Sequence, residues 1–298
     1  KNNKVYRSFC DLINIHPSDI SKIEEIPFLP IQFFKSKKVV SSLDNVQEIF
    51  TSSGTTGSVT SKHFVTDIEV YKESYLKGFA HFYDDIEEYV VLALLPNYLE
   101  RKGSSLVFMV DDLIRKSKNI ESGFYLDNLE ELTKKLIELD KKGQKTLLIG
   151  VSFALLDLIE MQQFSLKNTI IMETGGMKGR RKELVREELH TVLQNGLGVS
   201  EIHSEYGMTE LLSQGYSKGN GVFETPPWMK ILTRDTEDAL TINPIGKNGG
   251  INVIDLANYN SCSFIATQDL GKVHKNGTFE IIGRFDNSDI RGCNLMVL

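Results

Sequence analysis

The chain has 298 residues, of which 41% are hydrophobic and 25% are charged. These fractions are close to the averages for globular proteins, so they exclude an intrinsically disordered chain and a small disulfide-stapled scaffold. The 34 Lys and Arg against 40 Asp and Glu give a formal net charge of −6. A charge balance of this sign argues against a protein that coats nucleic acid through bulk positive charge.

Cysteine spacing and the lengths of the apolar runs set further expectations. Cys10, Cys262 and Cys293 form no CxxC pair and have no histidine cluster beside them, so neither structural zinc nor a disulfide framework is expected. Free thiols of this kind favour a reducing, cytoplasmic compartment. The apolar runs are far shorter than the ~20 residues that a membrane helix needs, so no membrane span is expected.

In the first two thirds of the chain, β-type apolar runs alternate with amphipathic helical patterns. Strands are predicted over residues 46–50, 89–95, 146–151, 169–172 and 199–203. Helices are predicted over residues 68–82, 104–115, 128–142, 152–161 and 179–194. Because strand and helix alternate, the strands are expected to pair in parallel, and residues 1–215 are predicted to form an α/β lobe.

The pattern changes after about Gly215. Short β-type runs follow one another with turn residues between them, over residues 228–232, 240–242, 250–256, 263–266 and 278–282. Such spacing is typical of antiparallel structure. Residues 216–298 are therefore predicted to form a smaller, β-rich subdomain.

A stretch rich in hydroxyls and glycines follows the first predicted strand. It comprises Thr51, Ser52, Ser53, Gly54, Thr55, Thr56, Gly57 and Ser58. A turn of this composition can point several backbone N–H groups at the oxygens of a phosphate, and Lys62 downstream adds positive charge. The GxxxxGK[ST] spacing of the common P-loop is absent, and composition alone also fits a solvated loop.

Three later segments carry polar residues suited to the other parts of a nucleotide. In residues 204–210, Tyr206 can stack on a base and Glu210 can hold a magnesium ion that bridges phosphates, although a helix start with an acidic residue fits equally well. Asp269 is expected in a turn after a strand, where it can accept two ribose hydroxyls. Arg284, at the end of a strand, can contact phosphate or ribose. Each segment alone fits an ordinary turn, but their order favours one shared site.

This ordered set resembles the adenylate-forming superfamily, which includes acyl-CoA synthetases, peptide-synthetase adenylation domains and firefly-type luciferases. Residues 51–57 resemble its phosphate loop and residues 206–210 its Tyr-Gly-x-Thr-Glu motif. Residues 267–271 resemble its Thr-Gly-Asp motif, with Gln268 where Gly is usual, and residues 283–292 its Gly-Arg-x-x-Asp-x-Ile-x-x-Gly hinge. Within the superfamily, residues 95–101, 174–181 and 204–211 are most similar to the LuxE-type acyl-protein synthetases.

The resemblance implies a fold and a set of residue roles. The fold is the large N-terminal domain of adenylate-forming enzymes followed by a β-rich subdomain, with the C-terminal lid absent from this chain. The residues implied to bind ATP are Thr51, Ser52, Ser53, Gly54, Thr55, Thr56, Gly57 and Lys62 at the phosphates, Gly175, Gly176 and Tyr206 at the adenine, and Asp269 with Arg284 at the ribose. Thr209 is implied to contact the α-phosphate, Glu210 to ligate Mg²⁺, and Asp286 to act as the hinge.

The resemblance also implies a reaction. A carboxylate, expected to be a fatty acid, attacks the α-phosphate of ATP, pyrophosphate leaves, and a thiol then takes the acyl group from the acyl-adenylate. The thiol can be a protein cysteine, a carrier protein or CoA, and LuxE relatives suggest an acyl-reductase complex as partner. Two alternatives stay open: an acyl-CoA ligase of the phenylacetate–CoA ligase kind, and a non-catalytic nucleotide-binding subunit of an acyl-transfer complex.

Overall fold

A computed structural model describes residues 2–42, 45–52, 59–95, 103–126, 128–175 and 184–285. Its α-helices are α1 Lys4–Leu12, α2 Phe33–Ser36, α3 Ile68–Tyr83, α4 Ser105–Lys116, α5 Leu129–Lys141, α6 Ser152–Met161 and α7 Arg186–Leu197. Its strands are β1 Leu29–Pro30, β2 Glu48–Thr51, β3 Lys62–Val65, β4 Val90–Leu94, β5 Gly123–Tyr125, β6 Thr146–Gly150, β7 Thr169–Glu173, β8 His203–Tyr206, β9 Gly215–Ser217, β10 Val222–Glu224, β11 Met229–Arg234, β12 Gly249–Asp255, β13 Phe264–Val273 and β14 Phe279–Arg284. Short 3₁₀ helices cover Pro17–Asp19, Ile23–Glu25, Ile86–Glu88 and Leu256–Asn258.

One mixed sheet runs through the described chain in the order β11-β12-β13-β14-β10-β9-β8-β7-β6-β4-β5. Strands β4 to β8 pair in parallel, as the alternation of strands and helices predicts. From the β8–β9 pair onward the pairing is antiparallel. The change from parallel to antiparallel pairing lies next to the predicted domain boundary at residue 215, and the division into two domains stays a prediction.

Two short elements connect the N-terminal segment to the rest of the fold. Strand β1 pairs in parallel with β13, with Leu29 opposite Ile265. A separate two-stranded sheet pairs β2 with β3, with Thr51 opposite Lys62. The N-terminal segment therefore lies against the antiparallel half of the sheet, and β2–β3 flanks the stretch of residues 53–58.

The parallel strands are apolar because helices cover them, and all five residues of β4 are buried. Helix α3 turns its predicted stripe inward, with Tyr71, Tyr75, Phe79 and Phe82 buried. Helix α5 buries Leu132, Leu136 and Leu139, in agreement with the predicted period. These two helices are confirmed almost to the residue because a long amphipathic pattern defines which face is buried.

The structure corrects two expectations in the antiparallel half. Residues 240–242 form no strand, and Ile242 makes only an isolated bridge to Arg234. Asp269 lies inside the ten-residue strand β13 rather than in a turn after a strand. The β12–β13 and β13–β14 ladders both shift register near this point, as they do at a β-bulge.

Candidate functional site

Three of the sequence motifs meet in the structure, although Tyr206 ends β8, Asp269 lies within β13 and Arg284 ends β14. The Tyr206 hydroxyl donates a 2.8 Å hydrogen bond to Asp269 Oδ2. Arg284 Nε lies 3.3 Å from Asp269 Oδ1, and the two residues are opposite each other in the β13–β14 ladder. Burial and the Asp269 charge raise the pKa of Tyr206 well above 10, so the phenol keeps its proton and remains the donor.

A buried arginine outside all of the predicted motifs, Arg234, contacts the backbone two residues before Asp269. Arg234 donates to the Ile251 carbonyl at 2.7 Å, to Asn252 Oδ1 at 2.8 Å and to the Thr267 carbonyl at 2.6 Å. Burial lowers the pKa of Arg234 to about 10, which still leaves it charged at neutral pH. The sequence gives no signal that Arg234 makes these contacts. The buried positions of β11 do not alternate strictly, so no pattern in the strand distinguishes Arg234.

The carbonyls of Thr209 and Glu210 are held by two residues that sequence reasoning missed. His63 Nδ1 lies 2.8 Å from the Thr209 carbonyl, and His63 Nε2 lies 3.0 Å from Asn258 Oδ1. Asn258 Nδ2 donates to the Glu210 carbonyl at 2.7 Å. Burial lowers the pKa of His63 to about 4, so the ring is neutral and its single N–H can donate to only one of these two acceptors. No sequence pattern could reveal this pair, because 195 positions separate its members.

The Glu210 carboxyl is buried. Burial raises its pKa, while the Ser61 side chain and the charges of Arg284 and Lys35 act in the opposite direction. Among the described residues, no group of three or more His, Cys, Asp or Glu side chains could hold a metal by itself. Mg²⁺ commonly takes only one or two protein carboxylates and completes its shell with phosphate and water oxygens. A single buried carboxylate with hydroxyls nearby fits that mode of binding.

Ser52 and Ser61, which lie on either side of residues 53–58 in the sequence, are hydrogen-bonded to each other. Ser52 N donates to the Ser61 carbonyl at 3.2 Å, and Ser61 N donates to Ser52 Oγ at 2.9 Å. Thr51 N donates to the carbonyl of Gly103 at 2.7 Å. The Ser61 side chain in turn reaches the Glu210 carboxyl. The base of the predicted phosphate loop therefore lies directly beside the predicted magnesium ligand.

The predicted adenine segment begins at a buried carboxylate. Glu173 Oε2 accepts the N–H of Gly175 at 2.9 Å and the hydroxyl of Ser152 at 3.2 Å. Burial alone would raise the pKa of Glu173, but His190, Arg186 and the Gly175 N–H outweigh burial and lower it. Gly175 has a φ of 57°, a left-handed conformation that suits glycine. The bend after β7 is thus defined by Glu173.

A second carboxyl, Glu205, lies between this bend and the Tyr206 motif. It is half-buried and accepts a 2.6 Å hydrogen bond from the hydroxyl of Thr174. Burial raises its pKa to about 7, with the nearby Glu173 charge adding to the shift. A Cβ at Gly207 would come within 2.3 Å of Glu205 Oε1, so a larger residue there would displace the end of the Glu205 side chain. The site therefore contains a carboxyl that titrates near neutral pH.

Some predicted residues cannot be placed. Ser53, Gly54, Thr55, Thr56, Gly57, Gly176 and the hinge residue Asp286 lie outside the described residues. Lys62 is described and exposed. It immediately precedes His63 in β3, and successive side chains of a strand point to opposite faces. The Lys62 side chain therefore points away from the face on which His63 contacts Thr209.

Comparisons with solved structures define the class of fold. ATP-bound MatB from Rhodopseudomonas palustris matches with a TM-score of 0.59 at 17% identity, over 82% of this chain and 49% of that one. A long-chain-fatty-acid-CoA ligase, FadD1, from Archaeoglobus fulgidus matches with a TM-score of 0.57 at 14% identity, over 82% of this chain and 52% of that one. The chain thus shares the α/β fold of the matching part of these ligase structures, and it spans about half of their length.

Sequence comparisons find similarity to proteins of the LuxE type. The family model described as acyl-protein synthetase, LuxE, matches residues 1–83. The long-chain-fatty-acid–luciferin-component ligase of Vibrio harveyi is 23% identical over 318 residues, which cover 99% of this chain and 82% of that protein. The resemblance to the adenylate-forming superfamily and to LuxE is confirmed. In the described part of the chain, no helix has the length and apolar character that a membrane crossing requires.

Proposed function

We propose that this protein uses ATP to activate a carboxylic acid, in particular a fatty acid, as an acyl-adenylate that is passed on to a thiol. The observation that carries the proposal is the contact network among distant motifs. Tyr206 and Arg284 both contact Asp269, and His63 and Asn258 hold the carbonyls of Thr209 and Glu210. In the proposed site, Asp269 and Arg284 would bind the ribose, and Glu210 would hold Mg²⁺ at the phosphates.

For this reaction the site has to position the carboxylate against the α-phosphate and to neutralise the negative charge of the phosphates. A carboxylate oxygen attacks the α-phosphorus of ATP, a new P–O bond forms, and the bond to the bridging oxygen breaks to release pyrophosphate. The thiol sulfur then attacks the acyl carbonyl, AMP leaves with the bonding electrons, and the thiol proton passes to solvent. Thr209 would orient the α-phosphate, and Glu210 would hold Mg²⁺, which supplies charge neutralisation at the phosphates.

The names of the relatives support the substrate class. The Vibrio harveyi relative is named for a long-chain fatty acid, and so is the Archaeoglobus fulgidus structure. We extend this substrate class to the present chain as part of the proposal.

The test is fatty-acid-dependent exchange of labelled pyrophosphate into ATP by the intact gene product. We expect exchange with straight-chain acids and none without acid, and a Glu210→Gln variant should lose at least tenfold of the rate. Absence of exchange with every straight-chain acid, together with ATP binding, would instead favour the non-catalytic subunit. Adding CoA, a carrier protein or neither, and then assaying each thiol for the acyl group, identifies the acceptor.

A further inference from the structure

Asp255 is a buried carboxylate that accepts four hydrogen bonds, most of them from the segment that follows Glu210. It is the last residue of β12 and is fully buried. Its Oδ2 accepts the backbone N–H groups of Leu212 at 2.8 Å and of Ser213 at 3.0 Å. Its Oδ1 accepts the hydroxyl of Ser213 at 2.6 Å and the N–H of Ala257 at 3.1 Å. One side chain therefore fixes the backbone immediately after Glu210.

The short stretch of residues 255–258 also holds Glu210 itself. Asp255 caps the 3₁₀ helix Leu256–Asn258 by accepting a backbone N–H from its first turn. At the end of that helix, Asn258 is fully buried and donates to the Glu210 carbonyl at 2.7 Å. The backbone of Glu210 is thus held at its own carbonyl by Asn258 and, through the two N–H groups farther along, by Asp255.

Helix α3 holds the same segment from the other side. Ser213 Oγ lies 3.1 Å from Ser74 Oγ in α3, and Trp228 Nε1 donates to Ser74 Oγ at 3.1 Å. A chain of hydrogen bonds therefore runs from Trp228 through the two serine hydroxyls to the Asp255 carboxylate. Because the serines and Asp255 are buried, moving this segment would leave polar groups without partners and away from water, which is costly.

We propose that Asp255 is a positioning residue of the candidate site: through Leu212 and Ser213 it fixes the backbone of Glu210 and so holds the Glu210 carboxylate in the orientation in which it would bind Mg²⁺ at the phosphates. The inference rests on the proposed function and deepens it. Groups that orient a metal ligand without touching the metal commonly change metal affinity by about 10- to 100-fold. Asp255 acts here through Glu210 and is assigned no contact with ATP or the ion.

The test is calorimetric titration of ATP into the intact gene product and its variants, once with Mg²⁺ and once with EDTA. Asp255→Asn keeps the size of the side chain but turns an amide NH₂ toward donors that need an acceptor. We expect it to weaken binding of Mg·ATP by about tenfold or more, and binding of ATP in EDTA by less than about twofold. Asp112→Asn is the matched control, at a buried aspartate that accepts the Tyr75 hydroxyl, and it should change neither affinity.

A double-variant cycle separates positioning from general support of the fold. In the background of Glu210→Gln, adding Asp255→Asn should weaken Mg·ATP binding by less than about twofold, because the carboxylate through which Asp255 acts is already gone. Thermal unfolding shows whether each variant is folded at the temperature of the titration. If Asp255→Asn does not fold, Ser213→Ala removes only the hydroxyl donor and should weaken Mg·ATP binding by about threefold, again only when Glu210 is present.

The results that overturn the inference are distinguishable from failure of the proposed function. If the unmodified protein binds Mg·ATP and the folded Asp255 or Ser213 variant binds it equally well, the positioning role is rejected and the proposed function stands. Equal fold-losses with and without Glu210, or with Mg²⁺ and with EDTA, show that Asp255 supports only the fold and likewise reject the role. An unmodified protein that binds no ATP rejects the proposed function and the inference together.

Discussion

The phenol of Tyr206 donates to Asp269 across 63 positions of sequence, and in doing so it connects the two halves of the sheet. Tyr206 ends the last parallel strand, whereas Asp269 lies in the antiparallel strand β13. Because the phenol keeps its proton, one carboxylate oxygen of Asp269 is held and the other faces Arg284. The orientation of this carboxylate is thus set before any ligand binds, which lowers the cost of binding.

The first prediction concerns this carboxylate. Asp269→Ala should weaken ATP binding by roughly 10- to 100-fold, since hydrogen bonds to a charged acceptor are worth about 1.5–3 kcal/mol. The same variant should bind 2′,3′-dideoxy-ATP about as well as the unmodified protein does, because that nucleotide has no ribose hydroxyls to lose. Fluorescence titration of both nucleotides measures the difference. Glu237→Ala removes an exposed acid elsewhere and should change neither affinity; equal losses for both nucleotides in Asp269→Ala would reject the ribose role.

The second prediction concerns the stability contributed by Arg234. Arg234→Met removes the guanidinium donor from Asn252 Oδ1 and from the Thr267 carbonyl in a buried region, so we expect a loss of about 3 kcal/mol in the free energy of unfolding. Arg115→Met removes a largely exposed arginine and should cost less than about 1 kcal/mol. Urea denaturation with a common m-value measures both variants. Similar losses of unfolding free energy in the two variants would show that Arg234 contributes no more to stability than an exposed arginine does.

The third prediction concerns the pH dependence that Glu205 contributes. Its pKa is about 7 in the folded chain against an ordinary value of 4.5, so the folded state binds the proton more tightly. Stability from this group is therefore complete below about pH 4.5 and is lost as pH rises through 7. Glu205→Gln mimics the protonated acid, and it should stabilise the protein at pH 8 by an amount on the order of 2 kcal/mol relative to pH 5.

The measurement for Glu205 is the difference in unfolding free energy between the variant and the unmodified protein at several pH values. Taking the difference cancels every other titrating group that the two proteins share. A difference that is flat between pH 5 and pH 8 would show that Glu205 has an ordinary pKa. Glu187→Gln, on the exposed face of α7, is the matched control and should give a flat difference.

The fourth prediction has the opposite sign of pH dependence. Burial lowers the pKa of His63 to about 4 from 6.5, so the unfolded chain binds this proton more tightly. The stability from neutral His63 is present above about pH 6.5 and is lost as pH falls through 4. His63→Asn removes this titrating group. Between pH 6.5 and pH 4, the unfolding free energy of the variant should therefore fall by about 3 kcal/mol less than that of the unmodified protein. His81→Asn, at an exposed site, should leave the acid branch unchanged.

Much of the fold follows from local pattern. The helices α3 and α5 and the buried strands β4 and β6 lie where periodicity predicts them, because one face or both faces of each element must be apolar to be buried. The parallel pairing of β4 to β8 follows from the alternation of elements. Residues 240–242 were wrongly predicted as a strand, since a short apolar run with turn residues on either side is ambiguous by itself.

The sequence by itself determined the four motifs, their order and hence the resemblance to adenylate-forming enzymes. Only the tertiary structure decided which side chains meet: that Asp269 stands in a bulged strand, that Arg234 supports it, and that His63 and Asn258 hold the Thr209 and Glu210 carbonyls. The physical reason is that motifs are local in sequence, whereas a buried hydrogen bond depends on partners brought together by the whole fold.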